Sequence, residues 1–252
     1  MMAKSLRLML IGGMAISVLC GVSGLSHTTM AAGKKTPYKE IEVSDGGTIT
    51  GSVTFDGDVP EVKILRIDKD EQTCGHDNKQ SEQLVINEGS KGIQYAVVSL
   101  VDIPAGKKAE ATAAVLDQKE CVFVPHVLAV SAGSSVDLLN SDDVMHNLHS
   151  WSIRNPAFNE GVSGGGKLTK KFDIPEIVKI TCDVHKWMSA FIKVEPNPYF
   201  AVTDENGRFK IENVPAGSYK IAAWQEKLGK KKSEVVVKPN EETVVDFVYE
   251  KK

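Results

Sequence analysis

From residue 47 onward, apolar side chains recur at every second position in short runs bounded by Gly, Pro, Asn and Asp, and helical periodicity is scarce. Ile49, Gly51, Val53 and Phe55 alternate before an Asp56-Gly57 turn; Ile93, Tyr95, Val97 and Val101 form a run closed by Pro104. Runs at 121–130 and 135–140 follow, with Ala132-Gly133 as the turn between them. Alternation of this kind gives a pleated strand one apolar face, and a chain built from such runs buries that face only by pairing strands. The expected fold class is all-β. With about 220 residues left after the leader described next, two β-domains are the natural partition.

The first residues have a different character. Lys4 and Arg7 precede an apolar run from Leu8 to Leu25, which ends in Ser26-His27-Thr28-Thr29-Met30-Ala31-Ala32. A basic start, an apolar middle and a small-residue end are the parts of a secretory signal peptide, expected over residues 1–31. Cys20 lacks the small residue before it that a lipid-acceptor cysteine needs, because Leu19 stands there. Removing Lys4 and Arg7 leaves 28 basic residues against 33 acidic ones, a net charge of about −5 that offers nothing to nucleic acid. The expected location is the periplasm or another extracytoplasmic space.

Three cysteines remain after the leader: Cys74, Cys121 and Cys182. An odd number in an oxidising compartment leaves one thiol unpaired. Two arrangements fit the residues: a Cys74–Cys121 disulfide that staples the polar 68–91 segment, or a Cys2His2 metal site in which His76 and His126 join those two cysteines.

The third cysteine opens the most informative segment, Cys182-Asp183-Val184-His185-Lys186-Trp187-Met188. A thiolate, an imidazole and a thioether at the spacing C-x2-H-x2-M are three of the donors of a mononuclear blue-copper centre, which needs one more imidazole. His146 is the expected supplier, at a strand end upstream. Val178, Ile180 and Cys182 share one strand face, with Lys179 and Thr181 on the other, so Cys182 points inward. His149 could also approach the metal, but an extended chain is expected to carry it back to the same face about 7 Å further on, so His146 is the expected ligand. The glycine-rich stretch Gly161-Val162-Ser163-Gly164-Gly165-Gly166-Lys167 satisfies part of a phosphate-binding loop, but Leu168 stands where the magnesium-binding hydroxyl belongs and no helical pattern follows. A flexible hairpin connection is expected instead, and no nucleotide.

Residues 121–194 resemble a cupredoxin, and within cupredoxins amicyanin and plastocyanin. The resemblance runs through Phe123-x-Pro125-x-x-Leu128-x-Val130, Gly133, Asn140-x-Asp142 and His146-Asn147, then the C-x2-H-x2-M loop with the amicyanin spacing. It implies a Greek-key sandwich or barrel holding one type 1 copper ion. His146, Cys182 and His185 would be the strong ligands, Met188 the weak axial ligand, and Asn147 a brace for the ligand loop. It also implies that His185 is the exit for the electron, with Trp187 in the contact surface for a redox partner protein. Met145 departs from the pattern, standing where amicyanin-like sequences have proline.

The C-terminal region carries a second signature. Thr203-Asp204-Glu205-Asn206-Gly207-Arg208-Phe209-x-Ile211 and Val214-Pro215-Ala216-Gly217-Ser218-Tyr219-x-Ile221 resemble a carboxypeptidase regulatory-like or transthyretin-like β-sandwich. Such a domain begins with a strand like the one at 47–56, so that strand is expected to be shared with the C-terminal sheet, making the cupredoxin an insertion. The expected boundaries are 40–195 for the first strand plus the cupredoxin, whose core spans 92–195, and 196–252 for the smaller sandwich.

No nucleophile or carboxylate pair marks an enzyme, and only His76, His126 and His149 remain to build a second copper site, too few for oxidase or nitrite reductase chemistry. The expected function is one-electron transfer through copper. A copper carrier, and a surface protein without metal, are the alternatives.

Overall fold

The computed structural model describes residues 38–75, 79–109 and 114–250. The expected leader and His76 lie outside them. The described chain is built from strands, with one short helix at Glu71–Cys74 and no sheet closed into a barrel. No described helix is long and apolar enough to cross a membrane.

Two apolar cores organise the strands. The first lies between two sheets. One orders Phe200–Val202, Val97–Leu100, Gly217–Gln225 and Gly229–Val237; the other centres on Gly47–Asp56, flanked by Arg208–Val214 and Glu242–Val244. Phe247–Glu250 also pairs with Gly47–Asp56. Ile49, Val53, Phe55, Ile93, Val98, Leu100, Tyr199, Phe209, Ile221 and Tyr249 fill the space between. The strand at 47–56 therefore belongs with the C-terminal strands, as its sequence implied. Gly51 interrupts its apolar alternation for a steric reason: a Cβ there would sit 1.9 Å from the Val245 carbonyl oxygen, between the two segments, Glu242–Val244 and Phe247–Glu250, that pair in parallel with this strand.

The second core lies between a sheet ordered Asn159–Val162, His146–Ser150, Glu176–Thr181, Ser189–Glu195, Val127–Ser131 and a sheet ordered Lys167–Phe172, Ser134–Asn140, Ala114–Lys119, Val122–Val124. Phe123, Leu116, Leu138, Leu148, Phe172, Ile180 and Ile192 are almost completely buried there. Each contributes roughly 1.5–3 kcal/mol relative to an exposed side chain.

Three expectations change. The run at 93–101 was placed inside the cupredoxin core, yet Val97–Leu100 bonds to Phe200–Val202 and Gly217–Gln225, and Ile93, Val98 and Leu100 fill the first core. The strands of the second core thus begin at Ala114. The run at 121–130 is two strands in different sheets, Val122–Val124 and Val127–Ser131, with Pro125 and His126 between them. The glycine-rich stretch is a tight turn between two strands: Gly165 has a φ of +69°, and a Cβ on Gly164 would lie 2.6 Å from the Asp142 carbonyl oxygen. Its glycines serve that close approach, and no helix follows it.

The two cores meet across the outer face of Ser189–Glu195. The Phe191 ring packs edge-on against Trp224 at 5.4 Å between centroids. His126 Nε2 lies 2.5 Å from Glu226 Oε1, both side chains almost fully covered. His126 is thus an interface residue.

Candidate metal centre

Cys74 and Cys121 form a disulfide that closes a 47-residue separation. The chain-entropy picture gives such a loop about 4 kcal/mol of stabilisation. Both sulfurs being bonded, the Cys2His2 alternative has no thiolates to offer. Cys182 is left as the free, buried cysteine among the described residues.

Cys182 follows Glu176–Thr181, where Val178 and Ile180 are buried and Lys179 is exposed, so the alternation delivers its sulfur inward. His146 opens the neighbouring strand and His185 lies in the loop after Cys182; both are wholly buried. The ligand atoms of His146, Cys182 and His185 all lie within 4.8 Å of one another. The two Nδ1 atoms are 2.8 Å apart, and Cys182 Sγ is 3.8 Å from His185 Nδ1. Donors about 2.0–2.3 Å from a common tetrahedral ion stand roughly 3–4 Å from each other, so the spacing suits a metal.

The outer edge of each imidazole is equally defined. His146 Nε2 lies 2.7 Å from Asp142 Oδ2, and His185 Nε2 lies 2.8 Å from Asp70 Oδ2. An ionised carboxylate only accepts hydrogen bonds, so each ring carries its proton on Nε2 and turns the Nδ1 lone pair inward. Two Nδ1 atoms 2.8 Å apart can share a proton between them, or both can ligate one metal ion. Burial lowers the pKa of His146, a shift that the nearby His185 reinforces and the Asp142 carboxylate opposes; the net direction favours the neutral, metal-ready ring.

Asp142 is itself anchored. Its Oδ1 accepts the Glu120 N–H at 2.6 Å and its Oδ2 the Cys121 N–H at 2.8 Å, donors presented by a turn in which both residues have positive φ. Asn140 Oδ1 accepts the Asp142 N–H at 3.0 Å. A second cluster, Cys121, Asp142 and His146, has metal-like spacing, but its sulfur is spent in the disulfide.

Around Cys182, the N–H groups of Asn147 and His185 point at sulfur from 3.4 and 3.3 Å, donors suited to a metal-bound thiolate. The Asn147 side chain accepts the Asp183 N–H at 2.8 Å and touches Asn159, tying the strand at 146–150 to the loop. Met188 is buried in the same core as Cys182, and its N–H donates to the His185 carbonyl at 2.9 Å.

Two sequence expectations fail here. His185, expected as the exit for the electron, is buried, with Asp70 over Nε2 and the Trp187 ring 5.0 Å from its own. Trp187 is half-buried, donating its indole N–H to the Cys121 carbonyl at 3.0 Å. His149 lies three residues from His146, an odd step that puts it on the opposite strand face: it stacks on Trp151 at 4.3 Å and bonds to Asp183 at 3.0 Å. Sequence reasoning missed Asp70 and the role of Asp142. Asp142 had a local signal, four residues before His146; Asp70 had none, since long-range contacts, the Cys74–Cys121 disulfide and Ile67 against the second core, bring its loop to the site.

A family model described as polysaccharide lyase family 4, domain II, matches residues 183–245. Among curated proteins none matches this chain. Solved structures similar to it include the copper-containing nitrite reductase from Thermus scotoductus SA-01, at 21% identity and a TM-score of 0.32 over 38% of this chain. The chain spans only 25% of that enzyme's length. A purple cupredoxin from Nitrosopumilus maritimus aligns at 21% identity and a TM-score of 0.29, over 32% of this chain and 99% of its own. Amicyanin from Paracoccus versutus aligns at 19% identity and a TM-score of 0.30, over 35% of this chain and 86% of its own. The chemistry of the centre rests on its side chains, whatever these likenesses share.

Proposed function

We infer that His146, Cys182 and His185 hold a single copper ion, with Met188 as the weak fourth ligand, and that this exported protein passes single electrons between redox partners. The observation that carries the reading is the convergence of two Nδ1 atoms, 2.8 Å apart, and a buried cysteine sulfur, all within 4.8 Å of one another. A metal ion would take both nitrogens and the sulfur at once, and a His2Cys donor set with a methionine in the same core favours copper over harder metals. Bound copper would supply a one-electron couple.

The chain's own residues do the rest. Asp142 and Asp70 fix both rings in the Nε2–H tautomer, and Asn147 holds the ligand loop against the strand at 146–150. The surrounding core, with Phe123, Leu148, Ile180 and Met188, excludes water. Donors fixed in this way need little movement when the charge at their centre changes, which is what fast electron transfer requires.

Adding Cu(II) to the purified metal-free protein tests this. An intense thiolate-to-copper absorption in the visible region is expected, with one copper per chain, and it disappears in Cys182→Ser. Well-folded, reduced protein that gains no such band refutes the reading. Metal exchange without a reversible couple would instead favour a copper carrier.

A further inference from the structure

His185 touches two things besides its own loop: the donor cluster through Nδ1, and Asp70 through Nε2. Asp70 comes from 115 residues upstream, in a polar segment with little apolar surface to hold it down. It adopts a left-handed backbone, φ 48° and ψ 41°, unusual for a residue other than glycine, and begins the short turn that leads to Cys74. Cys74 is bonded to Cys121. Cys121 in turn gives its N–H to Asp142 and takes the indole N–H of Trp187 on its carbonyl. One covalent link thus gathers the carboxylate on each imidazole and the ring that packs on His185.

We propose that the segment at 68–74 is a disulfide-fastened cap over the metal centre, in which Asp70 is a positioning residue for His185. The carboxylate accepts the Nε2 proton, aims Nδ1 at the ion, and raises its donor strength. It also closes the edge of the ring to solvent and to a partner protein. Negative charge on that edge favours the more highly charged state of the ion, so the cap lowers the reduction potential and slows metal loss. Electrons then leave by a route other than the His185 edge. What the cap does to the ion rests on the copper reading above; the closure of the edge is a property of the metal-free protein as well.

The full chain is compared with Asp70→Ala, Asp70→Asn and Cys74→Ser/Cys121→Ser, with Asp68→Asn as control. In metal-free protein, diethylpyrocarbonate labelling is mapped residue by residue. The wild type and Asp68→Asn are expected to protect His185, while Asp70→Ala and the double serine variant are labelled there as fast as His149. Asp70→Asn keeps an acceptor and restores protection. In copper-loaded protein, Asp70→Ala and Asp70→Asn raise the reduction potential and speed copper loss to a chelator by about 10–100-fold. Rapid labelling of wild-type His185 overturns the cap whether or not copper binds. Protection with an unchanged potential and rate of metal loss overturns the positioning role. Protection in a protein that binds no copper leaves the cap standing and refutes the copper reading alone. Asp70→Ala retains the disulfide, so the test stands if the serine variant fails to fold.

Discussion

Asp142 and Cys121 are joined by a 2.8 Å hydrogen bond from the Cys121 N–H to Asp142 Oδ2, the same oxygen that lies 2.7 Å from His146 Nε2. One carboxylate thus couples the disulfide turn to the first imidazole. Asp142→Ala removes the ring's partner and leaves the Glu120 and Cys121 N–H groups without acceptors. We expect metal affinity to fall about 10–100-fold and stability by about 1–3 kcal/mol. Copper titration against a competing chelator, with urea unfolding of the metal-free protein, measures both; an unchanged affinity contradicts the bracing role.

His126 and Glu226 form a buried pair between the two cores. Truncating one partner leaves the other without its hydrogen bond in a covered site, which costs about 1–3 kcal/mol. Glu226→Ala is therefore expected to destabilise the protein by that order, while His126→Ala/Glu226→Ala costs less than the sum of the single changes. Urea unfolding of the four proteins in a double-mutant cycle reads the coupling, and strict additivity would show that the pair contributes nothing.

Glu176 gives a pH dependence. Burial alone would raise its pKa, but hydrogen bonds from Ser152, Ile153 and Asn155 outweigh that and bring it down to about 2. The folded value lies below the unfolded one, so the stabilisation is complete above the usual carboxylate range near ~4.3 and is lost as pH falls from there through about 2. Glu176→Gln removes this sensitivity. Unfolding midpoints measured across that window are expected to fall more steeply for the wild type than for the variant; parallel curves would contradict the assignment.

Much of the architecture was readable because alternation has a direct physical meaning. Val178, Ile180 and Cys182 sit two apart, which is enough to put the sulfur inside. The turns at Asp56-Gly57 and Ala132-Gly133 mark where strands end. What alternation does not carry is which sheet a strand joins: the run at 93–101 reads the same in either core, and only its hydrogen bonds to residues more than a hundred positions away place it. The break at Pro125 and His126 splits one apolar run between two sheets, a tertiary decision that local pattern does not encode. Asp70 was illegible for the same reason, as a polar residue in a polar loop acquires its role through long-range contacts, the bond between Cys74 and Cys121 among them.

Copper K-edge X-ray absorption on loaded protein, in the oxidised and the reduced state, tests the central claim most directly. The expected shell is two nitrogens at about 2.0 Å and one short sulfur, nearly unchanged between the two states. A shell of light atoms alone, or one that exchanges ligands on reduction, would contradict an electron-transfer centre built on His146, Cys182 and His185.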